Sequence, residues 1–307
     1  MTIEKPGEYG MSADAYHADP CPTPALSSSV AKILLSQTPL HAWTASPRLN
    51  PNYKRDEKPA FSLGTAAHRG LMGEGADYRI LGYDEFRTKE AKAAREECIA
   101  AGLTPLSREQ GARMSEMVDL ARDFIEASSI GLAFDSARHE RVFAWQSDGI
   151  WRRAMLDALA KDHTIIFDYK TTSSSADPHA FGRAIANLGY DVQAAHYVDA
   201  VQSVRKVRPR FIWIVQETSA PFAVSLIEAT ARVLEIGSEK LARASRMWKA
   251  CVEADAWPGY SREIVPADLP FWHERRHEEE EAEYDLASRD GDPTQSAISL
   301  DKLMLAG

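Results

Sequence analysis

Residues 155–172 read Met-Leu-Asp-Ala-Leu-Ala-Lys-Asp-His-Thr-Ile-Ile-Phe-Asp-Tyr-Lys-Thr-Thr. Two apolar runs flank a turn at Lys161–His163, and each run carries an acid, Asp157 on the first and Asp168 on the second. Two strands joined by that turn bring the carboxylates together. A side-chain period of two places Asp168 and Lys170 on one face of their strand. Ile165–Phe167 reads as a buried strand that ends in charge. Charges beside such a run cost free energy unless they pair with each other or with a cation. Two close carboxylates repel unless a positive ion lies between them. Hard divalent ions such as Mg²⁺ take carboxylate oxygens and keep several waters. A neighbouring lysine can orient such a water or help to deprotonate it. These are the parts of a metal-dependent site that cleaves phosphodiesters.

Outward from this segment, β-type runs at 140–145, 150–159 and 164–169 form a meander, with a turn around Ser147-Asp-Gly149. Helices are expected at 177–187 and 190–205, strands at 211–216 and 223–226, and a long helix at 229–254. Upstream, Leu26-Ser-Ser-Ser-Val opens a helix with a serine N-cap. A proline-punctuated loop covers 46–59. Helices follow at 60–72, 88–100 and 107–127. In the last of these, Met114, Met117, Val118, Ala121, Phe124 and Ile125 recur at helical spacing and read as core. The order implies an α/β fold, a mixed central β-sheet flanked by helices with a helical N-terminal part. Residues 1–26 read as an N-terminal arm and 27–275 as one domain. Residues 276–307 read as an acidic, weakly ordered tail that carries Glu278–Glu281.

The chain has 307 residues, of which 44% are hydrophobic, enough for a substantial core. No apolar run approaches the roughly 20 residues needed to span a bilayer, and the N-terminus lacks a signal-peptide pattern. A soluble cytoplasmic protein with no membrane contact is expected. The three cysteines lie far apart with no CxxC pair, which argues against a local zinc or iron–sulfur site and for reduced thiols. The net charge of −9 argues against coating nucleic acid through bulk charge. It leaves room for a nuclease, which needs only a local basic groove and whose metal site needs acids.

Two further elements accompany the acids. Gln193 and Tyr197 stand at i and i+4 on the expected 190–205 helix and share a face. His68 stands in Gly64-Thr-Ala-Ala-His68, and neutral imidazole is a good metal ligand. Each signal is weak alone. Asp-x-Lys arises often by chance, a polar pair can simply edge an amphipathic helix, and a lone helical histidine is more often structural.

Taken in order, Gly64…His68, Asp157, Asp168-Tyr-Lys170 and Gln193…Tyr197 resemble the PD-(D/E)XK nuclease superfamily and, within it, the RecB-like branch. The resemblance spans about residues 20–270. The opening (Tyr16-His-Ala-Asp, then Leu26-Ser-Ser-Ser) and the close (Trp257-Pro-Gly-Tyr260) are similar to phage and prophage proteins of the exodeoxyribonuclease VIII, or RecE, type. The resemblance implies that His68, Asp157 and Asp168 ligate Mg²⁺ or Mn²⁺, with the Tyr169 carbonyl as a further donor. It makes Asp157, Asp168, Lys170, Gln193 and Tyr197 the catalytic set. Lys170 would position or polarise the attacking water, and Gln193 and Tyr197 would brace the site and touch the DNA end. Asp168 stands where many members have Glu. Glu140 is a candidate outer acid, or simply an exposed strand residue.

The implied activity is 5'-3' exonucleolytic digestion of linear double-stranded DNA, leaving 3' single-stranded tails for phage or prophage recombination. The implied partners are double-stranded DNA ends and a RecT-type single-strand annealing protein, with a homo-oligomer, in the form of a toroidal tetramer, as the assembly. Basic residues lining such a ring are sought in Arg152-Arg153 and Arg205–Arg210. The apolar end Leu300–Leu305 is a candidate dock for a recombinase, against a disordered tail. The alternatives are a single-strand or structure-specific nuclease of the same superfamily and a non-catalytic DNA-binding or assembly subunit.

Overall fold

The structure is a computed structural model that describes residues 2–54, 63–73 and 77–289. In chain order the elements begin with β1 (Gly7–Gly10), α1 (Ala13–His17), α2 (Ser28–Ser36), α3 (Pro39–Thr44) and α4 (Leu63–Met72). Next come β2 (Tyr78–Ile80), α5 (Lys89–Ala100), β3 (Thr104–Leu106), α6 (Arg108–Glu126) and α7 (Gly131–Asp135). The remainder of the first unit is β4 (Arg138–Ser147), β5 (Ile150–Leu159), β6 (Ile165–Thr172), α8 (Pro178–Asn187), α9 (Tyr190–Arg205), β7 (Arg210–Glu217), β8 (Val224–Glu228) and α10 (Ala231–Ala254). The chain divides into two units, Met1–Gly259 and Tyr260–Gly307, and the second contains α11 (Phe271–Arg289).

Six strands form one sheet in the order β1-β4-β5-β6-β7-β8. Strands β4, β5 and β6 are the antiparallel meander expected from the sequence. The β4–β5 hairpin turns through Asp148 and Gly149, both with positive φ (56° and 79°), as a two-residue connection that matches strand twist requires. β6 and β7 are parallel, and the crossover between them is α8 and α9. The sheet is therefore mixed, with helices on both faces. One face packs Phe167, Tyr169, Ile212 and Ile214 against Ala67, Leu71, Met117 and Ala121 of α4 and α6. The other packs Trp145, Leu156, Ile166 and Trp213 against Ala194, Val198 and Val201 of α9. A third cluster joins α2, α3 and α10 through Leu34, Ala42, Leu241 and Trp248.

Residues 1–26 are built into this unit. β1 extends the sheet beside β4. The fully buried Glu8 carboxylate meets Arg138 and Arg141 at 2.8 Å each and Arg205 at 2.5 Å. Asp19 accepts the Ala25 and Cys21 amides and pairs with Arg153 at 3.3 Å, and the Arg153 guanidinium lies 4.7 Å from the Tyr16 ring centre.

Several expectations change. Arg152 and Arg153 are not the surface cations that a ring lining would need. Both are buried, Arg152 between Asp148, Asp199 and Ser245 and Arg153 against Asp19 and the Tyr16 carbonyl. Their strand is central, so both side chains enter packed layers and need internal partners. Arg205 and Arg210 also form pairs, with Glu8 and Glu228, but their side chains stay exposed. Of the Met/Phe stripe on α6, Phe124 is exposed while Met114, Met117, Val118, Ala121 and Ile125 are buried. Part of the segment expected to be weakly ordered is helical as far as Arg289. Its Glu-, Ala- and Arg-rich composition favours helix, and Arg275–Glu279 and Arg276–Glu280 pair one turn apart. The expected helix start at 60–62 and the apolar end Leu300–Leu305 lie outside the described residues.

Candidate active site

The β5–β6 ladder consists of only two residue pairs, Ala158↔Phe167 and Leu159↔Ile166. Beyond them the strands part, and the Asp157 side chain occupies the gap. Its Oδ2 accepts the Tyr169 amide at 3.3 Å, a bond that a strand carbonyl would otherwise take. The same oxygen meets His68 Nε2 at 3.2 Å. This divergence leaves the C-terminal end of β6 open at the edge of its parallel pairing with β7, where α/β sheets bind ligands.

α4 delivers His68, and it can do so because residue 64 is glycine. A Cβ at Gly64 would lie 2.2 Å from Thr171 Oγ1 on β6. The bare backbone lets the helix rest directly on the strand and places His68 one turn later over Asp157. β6 delivers Asp168 and Lys170, and Lys170 Nζ stands 2.5 Å from Asp168 Oδ2. α9 delivers Gln193, whose amide nitrogen donates to Asp168 Oδ1 at 3.0 Å and to Tyr197 Oη at 3.3 Å. All six residues singled out in the sequence are thus linked by contact, His68 to Asp157, Asp157 to the backbone of Tyr169, and Lys170, Asp168, Gln193 and Tyr197 in series. Tyr197 is buried in the core below Gln193, so it braces that side chain from beneath. The register on either side, His139↔Ala158 and Arg141↔Leu156, puts Glu140 across from Asp157 with a left-handed φ of 46°.

Burial works against both carboxylates, with different outcomes. For Asp157 the His68 bond and the Lys170 charge outweigh burial and hold the pKa below the ordinary aspartate value. For Asp168 burial dominates, and the Asp157 charge adds to it against the Lys170 ammonium, pushing the pKa up to about 6. Burial disfavours the Lys170 ammonium, but the two carboxylates outweigh it and raise the pKa above the ordinary lysine value. His68 follows the same pattern: burial opposes its charge, and Asp157 reverses the balance and raises the pKa.

These donors fit a hard divalent ion. Asp168 Oδ2 is buried beside the Lys170 ammonium without a hydrogen bond of proper geometry, so an anionic oxygen keeps unused lone pairs. Among the described residues no three His, Cys, Asp or Glu side chains are gathered as a ready-made metal cage. Mg²⁺ needs no such cage, because it binds through one or two carboxylates and fills the rest with water and substrate phosphate oxygens. The cleft above, about 340 Å³, is lined by Gly64, Thr65, His68, Tyr169, Lys170, Thr171 and Tyr190.

Two neighbours of the site escaped the sequence reading. Tyr190 opens α9, stacks on Phe181 at 5.9 Å, and has Lys170 Nζ 5.2 Å from its ring centre. Lys32 of α2 approaches the same ring. Tyr190 lies three residues before Gln193 at the open end of the helix, a position that could have drawn notice. Lys32, far away in sequence, carried no signal.

A mixed sheet whose central antiparallel strands splay around an aspartate, with Asp-x-Lys on the next strand and a glutamine helix behind it, is the architecture of PD-(D/E)XK nucleases. The chain belongs to the family described as a PDDEXK-like domain of unknown function (DUF3799), whose model matches residues 27–266. Among solved structures it is similar to a protein named "Putative exonuclease" from Eubacterium rectale, with 12% identity and a TM-score of 0.57, covering 85% of this chain and 97% of that one. A phage-related exonuclease from Haemophilus somnus 129PT aligns at 12% identity over 62% of this chain and 95% of that one, with a TM-score of 0.28 that adds no argument. No curated protein matches the sequence. Among the described residues no helix is long and apolar enough to cross a membrane.

Proposed function

We propose that this chain is a metal-dependent deoxyribonuclease that digests linear double-stranded DNA from its ends in the 5'-3' direction. The observation that carries the reading is the Asp157 carboxylate set between β5 and β6 on the Tyr169 amide, near enough to Asp168 and Lys170 at an open strand end for their charges to act on one another. His68, Asp157 and Asp168 would hold Mg²⁺ or Mn²⁺, and His68 also bonds Asp157 from the cleft side. The ion supplies Lewis acidity toward the phosphate and a lower pKa for water. Lys170 is a cation, so it donates: it holds the attacking water in line or stabilises charge gathering on the phosphate, and it does not serve as the base. Gln193 fixes Asp168 through Oδ1 and leaves Oδ2 to Lys170 and to the ion. The products would be 3' single-stranded tails for a RecT-type annealing protein, and a ring-shaped tetramer would keep the enzyme on its substrate.

The test is end-labelled linear duplex incubated with the purified full chain and Mg²⁺, with single-stranded and covalently closed substrates in parallel. The reading expects the 5'-ended strand of the linear duplex to shorten, closed circles to survive, and chelation to stop the reaction. Asp168→Asn and Lys170→Met should each lower the rate by at least 10²–10³-fold, the scale of losing one electrostatic partner of the reacting phosphate. Preference for single strands would favour the structure-specific alternative, and a folded protein inert with every divalent ion would favour the non-catalytic one.

A further inference from the structure

Two lysines converge on one tyrosine that lines the cleft. Lys170 Nζ lies 5.2 Å and Lys32 Nζ 5.8 Å from the centre of the Tyr190 ring. Their situations differ. Lys170 is paired with Asp168, whereas among the described residues no carboxylate forms an ion pair with Lys32; Asp168 and Asp191 act on it only through longer-range charge. Asp191 is already held by Lys240 at 2.5 Å. Lys32 is half-buried, and its methylene stem runs over Gly189, where a Cβ would lie 2.7 Å from the lysine Cδ. Gly189 has φ +63°, so a bare left-handed residue both turns the chain into α9 and leaves a seat for the stem.

The placement of Lys32 is also fixed from the other side. Leu26, just before α2, exchanges backbone hydrogen bonds with β5, donating to the Trp151 carbonyl at 2.9 Å and accepting from Arg153 at 3.1 Å. Ser27 caps α2 through the Val30 amide. The helix that bears Lys32 is thereby tied to the strand that bears Asp157. Burial and then the Lys170 charge press the Lys32 pKa down against the pull of Asp168 and Asp191, so this ammonium gains from a further anion set against it.

From this convergence we infer that Lys32 binds a backbone phosphate of the DNA strand next to the one being cleaved, with Tyr190 as the wall between the two positions. The inference rests on the nuclease reading and deepens it, since the ligand is a phosphodiester flanking the scissile group. Lys170 serves the reacting phosphate and Lys32 its neighbour. Lys32 sets where along the strand the cut falls and how firmly the substrate is held, and it takes no part in the chemical step. None of the four motifs contains it.

The test separates charge from packing. Lys32→Met keeps an unbranched stem of similar length over Gly189 and removes the ammonium, and Lys32→Arg keeps the charge. Equilibrium binding of a linear duplex is measured with Ca²⁺ replacing Mg²⁺ across a salt series, and KM and kcat are measured with Mg²⁺. Loss of one phosphate contact should make the slope of log K against log[salt] shallower by about 0.9. KM should rise about tenfold with kcat nearly unchanged, the mark of binding lost equally from ground and transition states. Lys32→Arg should restore both, and the melting temperature of Lys32→Met should match that of the parent. A Lys32→Met protein with parental slope and KM overturns the assignment while leaving the nuclease reading intact. A parent chain that neither binds nor cuts DNA overturns both.

Discussion

Gly64→Ala puts the geometry of the site under strain at one atom. The added methyl would sit 2.2 Å from Thr171 Oγ1 and 3.2 Å from Thr171 Cβ. Van der Waals contact needs about 3.5 Å, so the helix must retreat by roughly 1 Å. Alanine improves helix propensity by about 1 kcal/mol, and overpacking of this kind costs about 1–3 kcal/mol, so the net change in stability should be small. Activity should respond far more. α4 carries His68, whose bond to Asp157 is already 3.2 Å, and a displacement of roughly 1 Å would break it. Misplacement on that scale costs about 10²-fold in rate. The assay is kcat on linear duplex beside a urea midpoint for Gly64→Ala, Thr171→Ala and the double variant. Removing the Thr171 hydroxyl and methyl should return much of the lost rate, giving a coupling energy well outside additivity. A Gly64→Ala enzyme with parental kcat would refute the claim that close helix–strand contact places His68, and so would a double variant no better than Gly64→Ala.

Two further outcomes follow from the buried charges of the N-terminal segment. Burial opposes the Glu8 carboxylate, but Arg205, Arg141 and Arg138 outweigh it and hold its folded-state pKa below 4.5. Glu8 therefore contributes stability that is fully present above 4.5 and is lost as pH falls through the lower folded value. Urea midpoints should drop over that window in the parent and drop less in Glu8→Gln; equal acid sensitivity would remove Glu8 from the account. Arg153→Met strands the buried Asp19 carboxylate and should destabilise by about 3–5 kcal/mol, against clearly less for Arg153→Met combined with Asp19→Asn, as read by denaturant midpoints. Equal losses in the two would show that the pair is not what holds residues 1–26 to β5.

The segment 155–172 disclosed the two central strands β5 and β6 because its signals are local: an apolar run for each strand and a turn between them. The helices α6, α9 and α10 were legible for the same reason, since each repeats an apolar stripe over three or more turns. β1 was not. Four residues containing two glycines carry no strand pattern, and β1 exists because Glu8 finds three arginines that lie more than a hundred residues away. The fate of Arg152 and Arg153 was hidden in the same way. Their sequence reads as exposed basic charge, and only the central position of β5, with Asp199 and Asp19 brought against it, makes them internal. At the site, the family motifs named residues that the structure brings together, but not their pairings. That Asp157 would fill a missing ladder position follows from the divergence of β5 and β6, a feature of three-dimensional twist with no local signature.

The central claim is that Asp157 and Asp168 together hold a catalytic divalent ion. Calorimetric titration of Mn²⁺ into the purified full chain addresses it without reference to substrate. The parent should bind the ion and release protons on doing so near pH 6, where Asp168 is half protonated, and Asp168→Asn should lose that binding while still unfolding cooperatively. Binding of Mn²⁺ by Asp168→Asn with the affinity, stoichiometry and proton release of the parent would contradict the account.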